Sequence, residues 1–282
     1  MGDTVAEIID VVASSAPEIR GGLTGRRRKA DEQNPSGETQ MAADVWADEL
    51  LEERLTAIDG VGQFASEERE GVIDAGEGNY AVAVDPLDGS SNLKSNNSMG
   101  TVLGIYDAEL PAKGTEQVAA TYVLYGPITT MVVARDDEVT EFVIENDGTQ
   151  RTVTEDLTLP DEPVVYGFGG RVPDWTDRFA DYASEIEAEL KLRYGGAMIG
   201  DVNQVLTYGG VFGYPELESR PEGKLRLQFE ANPMAYILDA AGGASSNGTQ
   251  SILEAEPAGL HERTPLYLGN EALIERLEST FA

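Results

Sequence analysis

Residues 80–92 constrain the fold and the chemistry of this chain more than any other part of the sequence. The first half, Tyr-Ala-Val-Ala-Val, is apolar and contains two valines, which is typical of a buried strand. Proline, aspartate, glycine and serine follow, and these residues favour turns. Because Pro86 has no N–H to donate to a neighbouring strand, the strand is predicted to end at or near Asp85.

The turn after this strand combines the ligand types of a metal ion with those of a phosphate group. Its polar residues are Asp85, Asp88, Gly89, Ser90 and Ser91. Carboxylates and carbonyls are the ligands of Mg²⁺, and clustered backbone N–H groups bind phosphate oxygens. The pattern therefore indicates metal-assisted phosphoryl chemistry. The alternative is an aspartate-rich surface turn without a ligand.

The composition narrows the class of protein. With 282 residues, 41% of them hydrophobic, the chain is long enough for one large domain or two of ordinary size. It has no apolar run of about 18 residues and no signal-peptide pattern, so we expect no membrane partner and a cytoplasmic location. The lack of cysteine excludes disulfides and thiolate chemistry. The single histidine, His261, argues against histidine-based metal or phosphate sites, whereas an enzyme built on carboxylates remains compatible.

The net charge of −31 is the second strong constraint. Such a surface repels duplex nucleic acid, so no nucleic-acid partner is expected. Self-repulsion of this size destabilises a compact fold in dilute buffer, and at about 1 M salt a Debye length of roughly 3 Å screens most of it. Only five of the twenty basic residues are lysine. This acidic, lysine-poor composition is typical of a cytoplasm with high salt, and the alternative is an ordinary acidic protein.

Periodicities of helix and strand alternate along the first half of the chain. Helices are predicted over residues 4–13 and in the later part of 34–58, and strands over 98–106 and 118–135. An Asn-Asp-Gly sequence at 146–148 indicates a hairpin. The basic run at 26–29 lies in a predicted loop, where it either pairs locally or contacts an anion or another subunit.

Two prolines in residues 157–163 predict a domain boundary, which divides the chain into 1–157 and 158–282. The second part continues with predicted strands at 164–168 and 209–214 and helices at 174–192 and 201–207. In residues 224–230, polar side chains alternate with apolar ones, which predicts a strand with Lys224 and Glu230 facing the same polar site. Asn232 and Pro233 then predict a helix start, with asparagine as the N-cap.

The chain resembles class I fructose-1,6-bisphosphatase over almost its whole length. The similar blocks follow the family's order and spacing: they are residues 37–44, 66–68, 85–92, 100–106, 208–215, 223–227, 230–236, His261 and 265–269. The resemblance implies the layered α/β/α/β/α sandwich of the sugar phosphatase superfamily, which includes the inositol monophosphatases. It also implies a homotetramer or homodimer.

The resemblance also implies the roles of the site residues. Two or three Mg²⁺ ions, or Mn²⁺, would be held by Glu67, Glu68, Asp85, the carbonyl of Leu87, Asp88 and Glu230. Asp44 and Glu68 would activate the attacking water, assisted by Glu38 on a loop. Asp88, Gly89, Ser90 and Ser91 would receive the scissile phosphate. The sugar and the far phosphate would contact Lys224, Met198, Tyr194, Tyr214 and Arg193, the last from a neighbouring subunit.

One segment departs from the family's pattern. Where the family places asparagine and tyrosine on the far phosphate, residues 167–172 read Gly-Phe-Gly-Gly-Arg-Val. We expect Arg171 to replace those contacts, because a guanidinium group suits phosphate. The departure leaves the choice of substrate open between fructose 1,6-bisphosphate and a related sugar bisphosphate.

The implied activity is the Mg²⁺-dependent hydrolysis of the 1-phosphate of fructose 1,6-bisphosphate in gluconeogenesis. A sedoheptulose-1,7-bisphosphatase, or an enzyme with both activities, is the nearest alternative. An inositol-phosphate phosphatase and a non-catalytic acidic binding protein are more remote. The resemblance further implies that AMP inhibition is lost, since Asn79 and Asp107 stand where the family has lysine and arginine.

Overall fold

The computed structural model describes residues 3–27, 29–33, 35 and 39–282, with 29–33, 39 and 40 described by their backbone alone. Six α-helices lie in these ranges, and they are α1 Thr4–Gly22, α2 Ala42–Leu55, α3 Asp177–Glu189, α4 Met198–Tyr208, α5 Asn232–Ala240 and α6 Glu271–Phe281. Helix α1 is longer than predicted and continues past Pro17, because Ala16 and Ile19 extend its buried face.

Two large sheets carry most of the described strands. In chain order the strands are β1 Lys29–Gln33, β2 Thr39–Met41, β3 Val61–Ser66, β4 Ile73–Asp74, β5 Tyr80–Asp88, β6 Met99–Tyr106, β7 Gln117–Tyr125, β8 Thr129–Arg135, β9 Glu138–Ile144, β10 Gln150–Thr154, β11 Val165–Phe168, β12 Lys191–Leu192, β13 Gly210–Tyr214, β14 Leu225–Arg226, β15 Ala244–Ser246, β16 Arg263–Thr264 and β17 Leu266–Gly269. The first large sheet has the order β10-β9-β8-β7-β6-β5-β3-β4, and the second has the order β12-β11-β13-β17-β15.

Three apolar cores separate these elements into five layers. Helices α1 and α2 pack against one face of the first sheet. Helices α4 and α5 fill the space between the two sheets and contact both. Helices α3 and α6 cover the outer face of the second sheet. The predicted α/β/α/β/α order is therefore confirmed, and the middle helices join the two halves of the chain in one core.

The hairpin predicted at 146–148 is present, since β9 and β10 pair in antiparallel fashion on either side of it. The predicted end of the central strand is wrong, because β5 continues through Pro86 to Asp88. Its pairing with β6 shifts between Asp85 and Asp88, where three steps along β5 face two along β6. Such a bulge accommodates a proline and re-aims the side chains around it.

The strand predicted over 224–230 is also wrong. Only Leu225–Arg226 pairs as a strand, and Leu227–Ala231 forms one π-helical turn that leads into α5. Asn232 therefore does not cap this helix, because Ala231 before it already has helical dihedral angles. Alternating polarity predicted a polar face correctly, but the winding of the turn depends on tertiary contacts that lie far away in sequence.

Candidate active site

Three carboxylates from separate parts of the chain meet at the end of the first sheet. Oxygen atoms of Glu67, Asp85 and Glu230 all lie within 4.8 Å of one another. Glu67 directly follows β3, Asp85 lies at the bulge of β5, and Glu230 lies in the π-helical turn. Three converging carboxylate oxygens are a suitable ligand set for Mg²⁺ or Mn²⁺.

The backbone around the bulge orients the neighbouring acids. The N–H of Leu87 donates to Asp85 Oδ1 at 2.9 Å. The side chain of Leu87 packs in the apolar core, so the carbonyl is the polar group that it retains for a ligand. Asp88 Oδ2 accepts the N–H of Ile199 at 2.7 Å, which ties the end of β5 to the first turn of α4. Two of the predicted ligands are thereby held in place by hydrogen bonds.

Burial and mutual repulsion keep these acids from ionising easily in the absence of a cation. Burial raises the pKa of Asp88 to about 7. Burial, followed by repulsion from Glu67, raises the pKa of Asp85 and of Glu230 well above the usual range. A divalent cation lowers these pKa values again, because it supplies positive charge where the carboxylates are desolvated and repel one another. The electrostatics of the cluster therefore fit a metal ion.

A buried arginine lies against this cluster. Arg226 is only 1% exposed, and its Nη2 lies 3.5 Å from Glu67 Oε1. Its backbone N–H donates to Glu230 Oε2 at 2.5 Å. Arg226 thus contacts two of the three converging carboxylates, one through its charge and one through its backbone.

Asp44 lies beside the cluster at the start of α2 and is buried. Its Oδ2 accepts the N–H of Met41 at 2.6 Å and the hydroxyl of Ser90 at 3.2 Å. Its Oδ1 is buried and has no hydrogen-bond partner among the described residues. Burial raises its pKa to about 6, which is close to the value that suits a general base near neutral pH.

Glu68 lies next to Glu67 on the turn after β3, where its N–H donates to Ser66 Oγ at 3.2 Å. It is half-buried. Glu38, the third predicted catalytic acid, lies outside the described residues.

The turn predicted to bind phosphate requires its glycine. Gly89 has φ of 73°, a left-handed conformation, and a Cβ placed there would lie 2.2 Å from the Cβ of Ala197. Ser90–Leu93 then forms a 3₁₀ turn. Ser90 reaches Asp44, whereas Ser91 faces a cleft next to the cluster. The glycine therefore allows the turn to approach the segment before α4.

This cleft brings together most of the predicted substrate-binding residues. Its lining includes Asp88, Gly89, Ser91, Tyr194, Met198, Tyr214, Lys224 and Glu230. The ammonium group of Lys224 lies 5.1 Å from the centre of the Tyr214 ring. Lys224 and Glu230 face the same polar site as predicted, although the strand that was expected to place them there is absent.

The chain matches two family models over nearly its whole length. Residues 17–155 match the model for the N-terminal domain of fructose-1-6-bisphosphatase, and residues 159–282 match that for the C-terminal domain. The chain belongs to the fructose-1,6-bisphosphatase family. Class 1 fructose-1,6-bisphosphatase from Natronomonas pharaonis is 67% identical over 99% of both chains. That from Halobacterium salinarum is 58% identical over 99% of this chain and 98% of the relative.

The fold of the fructose-1,6-bisphosphatase family is shown by solved structures as well. The crystal structure of the Leishmania major enzyme in holo form is 30% identical and superposes with a TM-score of 0.91, covering 98% of this chain and 93% of that one. The T-state structure of the same enzyme gives a TM-score of 0.86. Among the described residues, no helix has both the length and the apolar character needed to cross a membrane.

Two arginines that were expected to bind the far phosphate lie outside the cleft of this fructose-1,6-bisphosphatase family member. Arg193 is exposed, donates to Gln204 Oε1 at 3.3 Å and lies over the ring of Tyr208. Arg171 is exposed too, two residues after Gly169, which packs against the ring of Tyr214. Within one chain, neither arginine lines the cleft.

Sequence reasoning missed one acid of the cleft. Asp201 is 2% exposed, and its carboxylate accepts the N–H groups of Gly195 and Gly196 at 2.5 and 3.2 Å. It holds the segment between Tyr194 and Met198. Its place in the first turn of a helix was the available signal, because negatively charged side chains are favoured near a helix N-terminus.

Proposed function

We propose that this chain hydrolyses the 1-phosphate of fructose 1,6-bisphosphate to give fructose 6-phosphate and phosphate, with Mg²⁺, in gluconeogenesis and in the cytoplasm. The observation that carries the proposal is the meeting of Glu67, Asp85 and Glu230 within 4.8 Å beside the phosphate-binding turn. The 67% identity to a class 1 fructose-1,6-bisphosphatase supports the substrate.

In this proposal two or three Mg²⁺ ions, or Mn²⁺, bind to Glu67, Glu68, Asp85, the Leu87 carbonyl, Asp88 and Glu230. When bound, such ions neutralise the charge of the phosphoryl group and make a bound water more acidic. The fit rests on the convergence of the Glu67, Asp85 and Glu230 oxygens within 4.8 Å. Burial, followed by repulsion, raises the pKa of Asp85 and of Glu230, and a cation opposes both causes. Hydrolysis of a phosphate monoester is among the slowest uncatalysed reactions. Its catalysis therefore needs several charged groups that stabilise the transition state at one site.

Asp44 and Glu68 orient the attacking water and accept its proton, and Glu38 assists them. For Asp44, the argument is geometric: Oδ2 is held by Met41 and Ser90, which leaves the buried Oδ1 to accept a proton. The hydroxyl of Ser90 then links this base to the turn that binds the phosphate. The positive charge of Arg226 reduces the repulsion between Glu67 and Glu230.

The substrate lies along the cleft. Gly89, Ser90 and Ser91 bind the 1-phosphate, and Asp88 lies beside them. Lys224 and Met198 contact the sugar. Tyr194 and Tyr214 bind the far phosphate. Arg171 is exposed outside the cleft and turns toward this phosphate from the same chain, and Arg193 reaches it from a neighbouring subunit. Tyr194 supports this arrangement because it lines the cleft while remaining 44% exposed, next to the surface that carries Arg193.

We propose that the enzyme is a homotetramer or homodimer, because Arg193 completes a site only if it reaches a second chain. We also propose that the chain divides into 1–157, with the catalytic and metal motifs, and 158–282, with the sugar-phosphate site. The charge of −31 supports a cytoplasm of high salt as its environment.

A panel of sugar phosphates tests the proposal. Phosphate release is measured from fructose 1,6-bisphosphate, sedoheptulose 1,7-bisphosphate and an inositol monophosphate, with Mg²⁺ and with a chelator. We expect release from fructose 1,6-bisphosphate that needs Mg²⁺ and is abolished in Asp85→Asn. Release from sedoheptulose 1,7-bisphosphate as well would identify an enzyme with both activities. A preference for inositol monophosphate would overturn the proposal.

A further inference from the structure

A loop outside the site, residues 107–116, is bound by two glutamine side chains at neighbouring points. The N–H of Leu110 donates to Gln63 Oε1 at 2.9 Å. The N–H of Ala112 donates to Gln228 Oε1, also at 2.9 Å. We call this pair of hydrogen bonds the amide clasp.

The two glutamines belong to the two elements that bring the carboxylates together. Gln63 lies in β3, the strand that leads directly into Glu67. Gln228 lies in the π-helical turn that carries Glu230. The amide clasp therefore connects, through one loop, a carboxylate from the first half of the chain with one from the second half.

The surroundings make the Gln228 side of the clasp rigid. Gln228 is fully buried, and its backbone carbonyl accepts the hydroxyl of Tyr106 at 3.4 Å. Gln117 Nε2 donates to Gly114 O and to Asn232 O, at 3.2 and 3.0 Å, so the end of the loop is also tied to the start of α5. The π-helical turn and the first residue of α5 are thus hydrogen-bonded to the strands on either side of the loop.

We propose that Gln63 and Gln228 are positioning residues that fix the separation of Glu67 and Glu230 through the loop 107–116. The inference rests on the metal site proposed above. Oxygen atoms of Glu67 and Glu230 lie within 4.8 Å of each other. The clasp ties the two elements that carry them to one loop, so that the ligand atoms are already close together when the metal arrives. Partners of this kind, one step removed from the ligands, commonly change metal affinity 10–100-fold.

The test uses the full-length enzyme and Mn²⁺ as the probe, with binding measured by calorimetry in a buffer of fixed KCl concentration. Gln63→Leu and Gln228→Leu each remove an accepting oxygen and leave a loop N–H unpaired. We expect each variant to bind Mn²⁺ about 10–100-fold more weakly. The KM for substrate at saturating metal should change little, and Gln63→Glu, which keeps the accepting oxygen, should bind Mn²⁺ nearly as well as the parent.

Two further variants separate the possible reasons for failure. Asn270→Ala removes an amide that accepts the N–H of Gly210 at 2.7 Å in the second sheet; it should lower the melting temperature without weakening Mn²⁺ binding. Glu230→Gln removes a proposed ligand and should weaken binding strongly. Unchanged Mn²⁺ binding in both leucine variants, with binding lost in Glu230→Gln, overturns the inference alone. Unchanged binding in Glu230→Gln overturns the metal assignment together with it.

Discussion

Arg226 and Glu67 lie 3.5 Å apart in the interior, and the guanidinium group is only 1% exposed. Its Nε and Nη2 atoms make no hydrogen bond to any described residue. The guanidinium group therefore attracts the carboxylates by its charge and not through a hydrogen bond. The cluster therefore contains a permanent positive charge besides any metal ion that it binds.

Replacing that charge should destabilise the fold. We expect Arg226→Leu to lower the free energy of unfolding by roughly 3–5 kcal/mol in the metal-free protein, because a buried ion pair loses one partner. Urea unfolding at fixed KCl measures it. Arg151→Leu, which breaks an exposed pair with Glu145 on the β9–β10 hairpin, is the matched control and should cost less than about 1 kcal/mol. Equal losses in the two variants would contradict the role of Arg226.

Turnover should depend on the charge of Glu68. Glu68→Gln keeps the shape and removes the charge, and we expect kcat to fall by roughly 10² or more, the usual scale for a general acid–base group. The measurement is made at saturating Mg²⁺. Glu70→Gln on the same turn, where the side chain is exposed, should leave kcat nearly unchanged. Parental turnover in Glu68→Gln would show that this residue is not needed.

The metal-free protein should become less stable as the pH rises. Burial raises the pKa of Asp88 in the folded chain from 3.8 to about 7, so folding favours its protonated form. The stability that this group contributes is present in full below about pH 4 and is lost as the pH rises through about 7. Metal ions bind the ionised carboxylates, so the stabilisation by Mg²⁺ should grow over the same range.

This effect is measured as the melting temperature between pH 5 and pH 8, once with a chelator and once with Mg²⁺. About 2 M KCl in the buffer screens the surface charge. Asp88→Asn should make the metal-free curve flatter. A metal-free melting temperature that rises with pH would be the opposite of the expected result.

Salt should stabilise the fold. With a charge of −31, the melting temperature should increase as KCl rises from about 0.1 M toward 2 M, because the Debye length shrinks and repulsion between surface acids weakens. The same series in the presence of Mg²⁺ separates surface repulsion from repulsion at the cluster. A flat or falling melting temperature in both series would contradict the proposal of a high-salt environment.

AMP should inhibit this enzyme weakly or not at all. A cavity of about 570 Å³ beside Asn79, Tyr80 and Asp107 is also lined by Asp74 and Glu109, and no lysine or arginine is among the described residues that line it. Charge-assisted hydrogen bonds are about twice as strong as neutral ones, and a phosphate placed there would meet carboxylates instead.

An AMP titration at fixed Mg²⁺ and ionic strength measures the inhibition. Asn79→Lys combined with Asp107→Arg restores both cations and should increase the sensitivity to AMP. Cooperative inhibition of the parent at micromolar AMP would point to the basic run at 26–29 instead. In the structure, however, Arg26 stacks on Trp46, and Arg27 donates to the carbonyls of Leu93 and Lys94.

Local pattern predicted individual helices, strands and the polar turn at residues 85–91, whereas the five layers and the roles of the site residues were implied by the resemblance to the fructose-1,6-bisphosphatase family. The Asp-Pro-Leu-Asp-Gly sequence indicated a metal and phosphate turn, because its residue types are those the ligands require. Periodicity could not distinguish a strand from the π-helical turn at Leu227–Ala231, since both place Lys224 and Glu230 toward one site. Nor could it reveal the roles of Gln63 and Gln228, whose partners lie 47 and 116 residues away.

The contact of Gly89 with Ala197 joins a turn from the first half of the chain to a segment from the second half, with no room for one additional carbon atom. The two halves therefore fit together here only when residue 89 is glycine and residue 197 is small. A hybrid gene that takes its two halves from different relatives has to receive a glycine from one parent and a small residue from the other.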